Sequence, residues 1–175
     1  EMGLGKTIEA IAVMAHLAHG GQNAFIVICP ASIVINWVRE IEKHSELKPF
    51  LVHGPSRERA FDQWQVEGGV AITTYETIQR LKHENLDTID LLVVDEAHYV
   101  KNPDAKRSQT IYSLTERSNN VLYLTGTPLE NRLAEMVNLV GKLQPDITKE
   151  MENSVQYIGS NTFKEKIAPV YLRRN

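Results

Sequence analysis

The chain has 175 residues, 42% apolar and 23% charged, with a net charge of −3. That is the length and make-up of one soluble globular domain with a sizeable core, and no apolar run approaches a membrane span. The charge excludes a global electrostatic pull on nucleic acid, so any DNA contact must be local to one face or cleft.

In chain order, the first string is EMGLGKT at residues 1–7. A helix over 7–19 follows, with Ile8, Ile11, Ala12, Ala15 and Ala18 at helical spacing and Gly20 and Gly21 to stop it. An apolar strand is predicted over 25–29. It ends at Cys29, the single cysteine, which reads as a buried reduced thiol and points to a reducing compartment. Ser32 is placed to cap a helix that buries Val34, Trp37, Val38 and Ile41. A strand over 50–53 comes next. Ser56 then caps a shorter helix with Ala60, Phe61 and Trp64 inward. Strands are predicted over 70–73, 91–95 and 121–125, and helices over 104–117 and 131–143. The pattern fades into a loop over 144–161, followed by a short helix over 163–167 and a last strand over 170–172. Strand–helix alternation with fully apolar strands predicts an α/β fold, a mostly parallel sheet covered by helices on both faces.

The chemistry sits at the strand ends. Gly3, Leu4, Gly5, Lys6 and Thr7 read as the end of a phosphate-binding loop, in which glycine lets backbone N–H groups approach phosphate oxygens. Lys6 would reach the β- and γ-phosphates of ATP, and the Thr7 hydroxyl would ligate Mg²⁺. Asp95 follows the run Leu91, Leu92, Val93, Val94 and so lies at the tip of a buried strand, where its carboxylate can help hold the same Mg²⁺. Glu96 beside it can orient or deprotonate water. The two strings occur in one chain in the right order, which a solvated turn at Asp95 and Glu96 would not explain. Ligands on parallel sheets bind at the carboxyl ends of strands, so Asp95 and Thr125 should converge on residues 3–7. His98 is either a satisfied loop histidine or a contact of Thr125, Gly126 and Thr127. Counting back from Gly5 puts the first position of the loop before residue 1, and with it the strand that feeds the loop.

The set EMGLGKT, ICPASIVINW, ITTYETI, VVDEAHYVKN, LYLTGTPLENR and YLRRN resembles the first motor lobe of Swi/Snf-type ATPases of helicase superfamily 2. The resemblance spans nearly the whole chain. It implies a RecA-like P-loop NTPase fold over 1–175, short of the strand before the loop, and ATP-driven movement on double-stranded DNA. It implies that Lys6, Glu96 and His98 are catalytic, and that Gly3, Leu4, Gly5, Lys6 and Thr7 bind ATP. Thr7 and Asp95 would hold Mg²⁺, and Thr125, Gly126 and Thr127 would couple ATP state to DNA. Pro30, Ala31, Ser32, Thr73, Thr74, Tyr75 and Lys101 would contact the nucleic-acid backbone. Trp37 falls in the same string, but core packing is the favoured reading of it, while capping its own helix explains Ser32 equally well. A second RecA-like lobe of the same protein, carrying an arginine finger, is the implied partner, and no membrane is. The expected location is intracellular, cytoplasm in a prokaryote and nucleus in a eukaryote. Without the second lobe the chain is expected to hydrolyse ATP at background rate. A restriction or phage-defence motor, an RNA helicase lobe and a non-hydrolysing interaction module are the alternatives. The Thr125, Gly126, Thr127, Pro128 string argues against the RNA helicase, and the intact Lys6, Asp95 and Glu96 against the module.

Overall fold

The computed structural model describes residues 5–81, 86–100 and 105–126. Helix α1 (Lys6–His19) leads to β1 (Ala24–Cys29), a 3₁₀ turn (Ala31–Ile33), α2 (Val34–His44) and β2 (Pro49–Val52). Next come α3 (Arg57–Glu67), β3 (Gly69–Thr74), the short α4 (Tyr75–Ile78), β4 (Ile89–Val94) and a 3₁₀ turn (Ala97–Val100). Helix α5 (Lys106–Glu116) and β5 (Ser118–Tyr123) close the described part. The five strands form one sheet in the order β2-β3-β1-β4-β5, with every pairing parallel.

This is the α/β sheet that the alternation predicts. Residues 25–29 are all buried, as are those of β3, so both faces of the central strands are covered. On one face Phe25, Val27, Cys29, Val70, Ile72, Leu91 and Val93 pack with Ala10, Ile11 and Met14 of α1 and Val34, Trp37 and Ile41 of α2. The alternate residues Ile26, Ile28, Leu92 and Val94 belong to the opposite face, where α4 and α5 contact the central strands.

Four local expectations are corrected. The inward face of α1 is Ala10, Ile11 and Met14, whereas Ile8 is 47% exposed and Ala12 is exposed too. Bulk decides it: Met14 and the partly buried Leu17 bring more apolar surface to the core than the alanines do. Ser32 does not cap α2. The 3₁₀ turn intervenes, the helix starts at Val34, and the cap position is Ile33 with no side-chain bond. Ser56 does occupy the cap position of α3, yet its side chain makes no capping bond. Strand β5 begins at Ser118, ahead of the apolar run, because the Asn120 amide donates to the Asp90 carbonyl and the ladder tolerates polar residues there. The helix at 131–143 and the segments at 144–161, 163–167 and 170–172 lie outside the described residues.

Candidate active site at the carboxyl end of the sheet

Gly5 precedes the first residue of α1 with φ 77°, a left-handed backbone that costs a side-chain-bearing residue energy and costs glycine little. Its carbonyl accepts from the Glu9 N–H at 2.9 Å, which sets Lys6 and Thr7 in the first turn. Gly3 and Leu4 lie outside the described residues.

The parallel register brings the carboxyl ends of β1, β3, β4 and β5 to one edge. Asp95 continues β4 by donating its N–H to the Ile28 carbonyl at 2.8 Å. Leu124 extends the other side, donating to the Val94 carbonyl at 2.9 Å and accepting from the Ala97 N–H at 2.7 Å. These bonds carry Gly126 over Glu96. The Gly126 N–H faces Glu96 Oε2 at 3.5 Å. A Cβ added to Gly126 would lie 3.5 Å from Glu96 Oε1 and 3.6 Å from Lys6 Nζ. Lysine cation, glutamate carboxylate and glycine backbone thus border one small space.

Asp95 is 6% exposed. Its Oδ1 accepts from the Glu96 N–H at 2.8 Å and its Oδ2 from the Trp37 indole N–H at 2.9 Å. Burial pushes its carboxyl above the ordinary value, against the pull of those two donors and the Lys6 charge. Glu96 has φ 54°, the only positive φ outside glycine among the described residues. The Tyr75 hydroxyl sits behind this turn and donates to the Asp95 carbonyl at 2.6 Å, with the Glu96 carbonyl at 3.4 Å. The Tyr75 ring stacks on Tyr99, with centroids 5.5 Å apart, and Arg107 lies 5.7 Å over the other ring.

The expected site residues therefore divide. Lys6, Glu96 and Gly126 come together. Asp95 is at the strand tip, and Thr125 is two residues beyond β5. Ala31 and Ser32 are exposed at the end of β1 and Pro30 is half-buried. Thr73, Thr74 and Tyr75 face inward at 1%, 1% and 2% exposure. Thr74 is occupied in capping α4, its hydroxyl accepting from the Thr77 N–H at 3.1 Å and donating to the Thr77 hydroxyl at 2.9 Å. Burial pushes the Cys29 thiol up, and the Asp95 charge adds to it; the thiol is buried and free, as read from the strand. The His98 side chain, Lys101 and Thr127 lie outside the described residues. The roles of Trp37 and Tyr75 behind the acidic pair were missed. The available signal was that a buried indole N–H or phenol O–H needs a partner.

The donor set fits Mg²⁺. A buried carboxylate and a first-turn hydroxyl are hard oxygen ligands, and such an ion takes few protein ligands and fills its shell with phosphate and water.

Comparison with known proteins gives the same picture. Residues 1–169 match the family described as SNF2-related domain. The chain is 36% identical to the ISWI chromatin-remodeling complex ATPase ISW1 of Saccharomyces cerevisiae, over 94% of its own length and 15% of that protein. It is 34% identical to the Xenopus tropicalis SWI/SNF-related regulator of chromatin subfamily A containing DEAD/H box 1, over 94% of its own length and 17% of that protein. The solved Sulfolobus solfataricus SWI2/SNF2 ATPase core, in complex with dsDNA, superposes with a TM-score of 0.81 at 29% identity, covering 99% of this chain and 38% of that one. The chain thus spans about a sixth of the curated relatives' length. It carries their RecA-like α/β fold and belongs to the SNF2-related domain family.

Proposed function

We propose that the chain is the ATP-binding lobe of a DNA-stimulated ATPase that translocates on double-stranded DNA. The observation that carries this reading is the convergence of Lys6 Nζ and the Glu96 carboxylate on one space beside Gly126, next to buried Asp95 and at the start of α1. That space lies at the carboxyl end of the sheet, where ligands bind on parallel sheets. Lys6 binds the β- and γ-phosphates, and Gly5 turns the chain so that the first N–H groups of α1 face them. Glu96 orients the water and takes its proton, held by its left-handed backbone against Tyr75. Thr7 and Asp95 would hold Mg²⁺, which would supply charge neutralisation. An arginine from the second lobe of the same protein completes the site.

On the outer side, Pro30, Ala31 and Ser32 meet one DNA strand, together with Lys101. Phosphate contacts position a protein without reading sequence. Thr125, Gly126 and Thr127, with His98, relay ATP state to that face. The Gly126 N–H near Glu96 supports the relay. The relatives' names as chromatin-remodelling ATPases support an intracellular site of action, in the nucleus of a eukaryote.

The test measures ATP turnover by the full-length protein with duplex DNA, with RNA and with no nucleic acid, at two salt concentrations. Duplex DNA should stimulate most, without sequence preference, and its affinity should fall steeply with salt. Stronger stimulation by RNA would overturn the DNA reading, and no turnover with any of them would overturn the ATPase.

A further inference from the structure

Two tryptophans occur in the chain, Trp37 and Trp64, and their indole N–H groups do different things. Trp64 donates to the Gly69 carbonyl at 3.0 Å, five positions away, and closes a local turn. Trp37 reaches across the fold to Asp95 Oδ2, 58 positions away, at 2.9 Å in a buried setting. Among the described residues two donors serve the Asp95 carboxylate, the Glu96 N–H on Oδ1 and this indole on Oδ2. The first comes from the neighbouring residue and moves with it. The second comes from another element and fixes which way the carboxylate plane faces.

That element is α2. Val34, Trp37 and Ile41 lock it into the core at 0–1% exposure. Its lead-in is the Ala31–Ile33 turn, with Ala31 and Ser32 exposed at the carboxyl end of β1. The turn, the helix and the indole thus form one continuous connection from the exposed Ala31 and Ser32 to the carboxylate.

We propose that Trp37 is a positioning residue: its indole sets the Asp95 carboxylate for the metal and ties that carboxylate to the outer Ala31–Ile33 turn. The proposal rests on the ATPase reading above and deepens it. Oxygen ligands whose free rotation is removed bind a metal more tightly, and loss of such an outer partner typically costs about 10–100-fold in metal affinity or activity. The indole also fills core volume, so Trp37→Phe would mix a packing defect with the lost bond.

The decisive variant replaces Trp37, in the full-length protein, by β-(3-benzothienyl)alanine, which keeps the shape and exchanges N–H for sulfur. The same replacement at Trp64 is the control. Three quantities are read: the melting temperature, the affinity for Mn²⁺ by electron paramagnetic resonance with a non-hydrolysable ATP analogue present, and turnover with and without duplex DNA. At position 37 the melting temperature should hold, Mn²⁺ affinity should fall about tenfold, and the ratio of stimulated to basal turnover should drop. The Trp64 replacement should leave Mn²⁺ affinity and that ratio unchanged. Retention of either the Mn²⁺ affinity or the full DNA stimulation by the Trp37 replacement overturns the proposal, whatever its melting temperature. Failure of the unsubstituted protein to bind Mn²⁺ with nucleotide would instead remove the ATPase reading, and this proposal with it.

Discussion

Strand β4 carries an aspartate near each end, and the two are held in opposite ways. At the amino end, Asp90 is half-exposed, and its side chain accepts from the N–H groups of Asn23 and Ala24 at 2.8 and 2.9 Å and from the Asn119 amide at 3.4 Å. It ties the starts of β1 and β5 to β4, and water shares the solvation of its half-exposed side chain. At the carboxyl end, Asp95 is buried and burial raises its carboxyl. Burial of an ionisable group there comes at a cost to folding. The lesson is that one end of the sheet is built for stability and the other for ligand. Substitutions at the two ends should therefore separate melting from turnover.

The largest effects belong to the carboxyl end and to turnover alone. Glu96→Gln in the full-length protein should retain ATP binding and lower turnover by about 10²–10⁴-fold, because the water loses its base. Lys6→Ala should weaken nucleotide binding and lower turnover by about 10²–10³-fold, the loss of one fixed charge at the reacting group. Steady-state ATPase assays with direct nucleotide titration check both. Near-normal turnover by Glu96→Gln would remove Glu96 from catalysis and leave the comparison without its functional end.

Substitutions at the amino end should do the reverse. Gly68 has φ +73°, and a Cβ there would meet Asn23 Nδ2 at 2.0 Å and the Asn23 carbonyl at 2.9 Å. Gly68→Ala should cost about 2–4 kcal/mol, from the left-handed backbone and the overpacking together. Asp90→Ala should cost about 1–3 kcal/mol by leaving backbone donors unpaired. Denaturant titration measures both costs. The ATP turnover of whatever remains folded should match the parent, and a selective loss of turnover would mean that the two ends are coupled.

Much of this division was legible in the residues. Leu91 to Val94 mark a strand buried on both sides, so Asp95 at its end had to be either satisfied or functional. Gly5, Lys6 and Thr7 announce the phosphate loop by type and spacing. What stayed hidden depends on contacts between distant positions. The Trp37 bond joins residues 58 positions apart, and no local pattern encodes it. The left-handed backbone of Glu96 is imposed by its surroundings, since a side chain of that size disfavours it. The Tyr75 hydroxyl bond to the Asp95 carbonyl, 20 positions away, is hidden in the same way as the Trp37 bond. The face of α1 was misjudged because alanine contributes so little apolar area that it marks no face.

A smaller effect tests the space around Gly126. An added Cβ would make ordinary contacts of 3.5 Å with Glu96 Oε1 and 3.6 Å with Lys6 Nζ. Gly126→Ala should therefore fold normally and melt as the parent does. Turnover should fall about tenfold, because the methyl group occupies the place of the reacting groups or shifts them slightly. Unchanged turnover would show that the phosphoryl group sits elsewhere.

The smallest effect is a gain. With its folded-state carboxyl raised by burial, Asp95 contributes stability that is fully present below the ordinary carboxylate value and is lost as pH rises through the raised one. Above the ordinary carboxylate value, burial of this carboxyl is therefore a burden in the ligand-free protein. Asp95→Asn removes the ionisation and keeps the shape, while setting its NH₂ against one of the two N–H donors. The variant should melt higher than the parent at neutral pH, and the difference should shrink to nothing as the pH falls below the ordinary carboxylate range. Adding Mg²⁺ and a non-hydrolysable ATP analogue should reverse the order, since only the parent retains the carboxylate for the ion, and a ligand at a hundred times its dissociation constant stabilises by about 2.7 kcal/mol. Melting curves at several pH values, with and without ligand, give the answer. If the variant melts below the parent at neutral pH without ligand, the Trp37 and Glu96 N–H groups outweigh the burial of the charge. Asp95 would then resemble Asp90, and the two ends of the strand would no longer differ in kind.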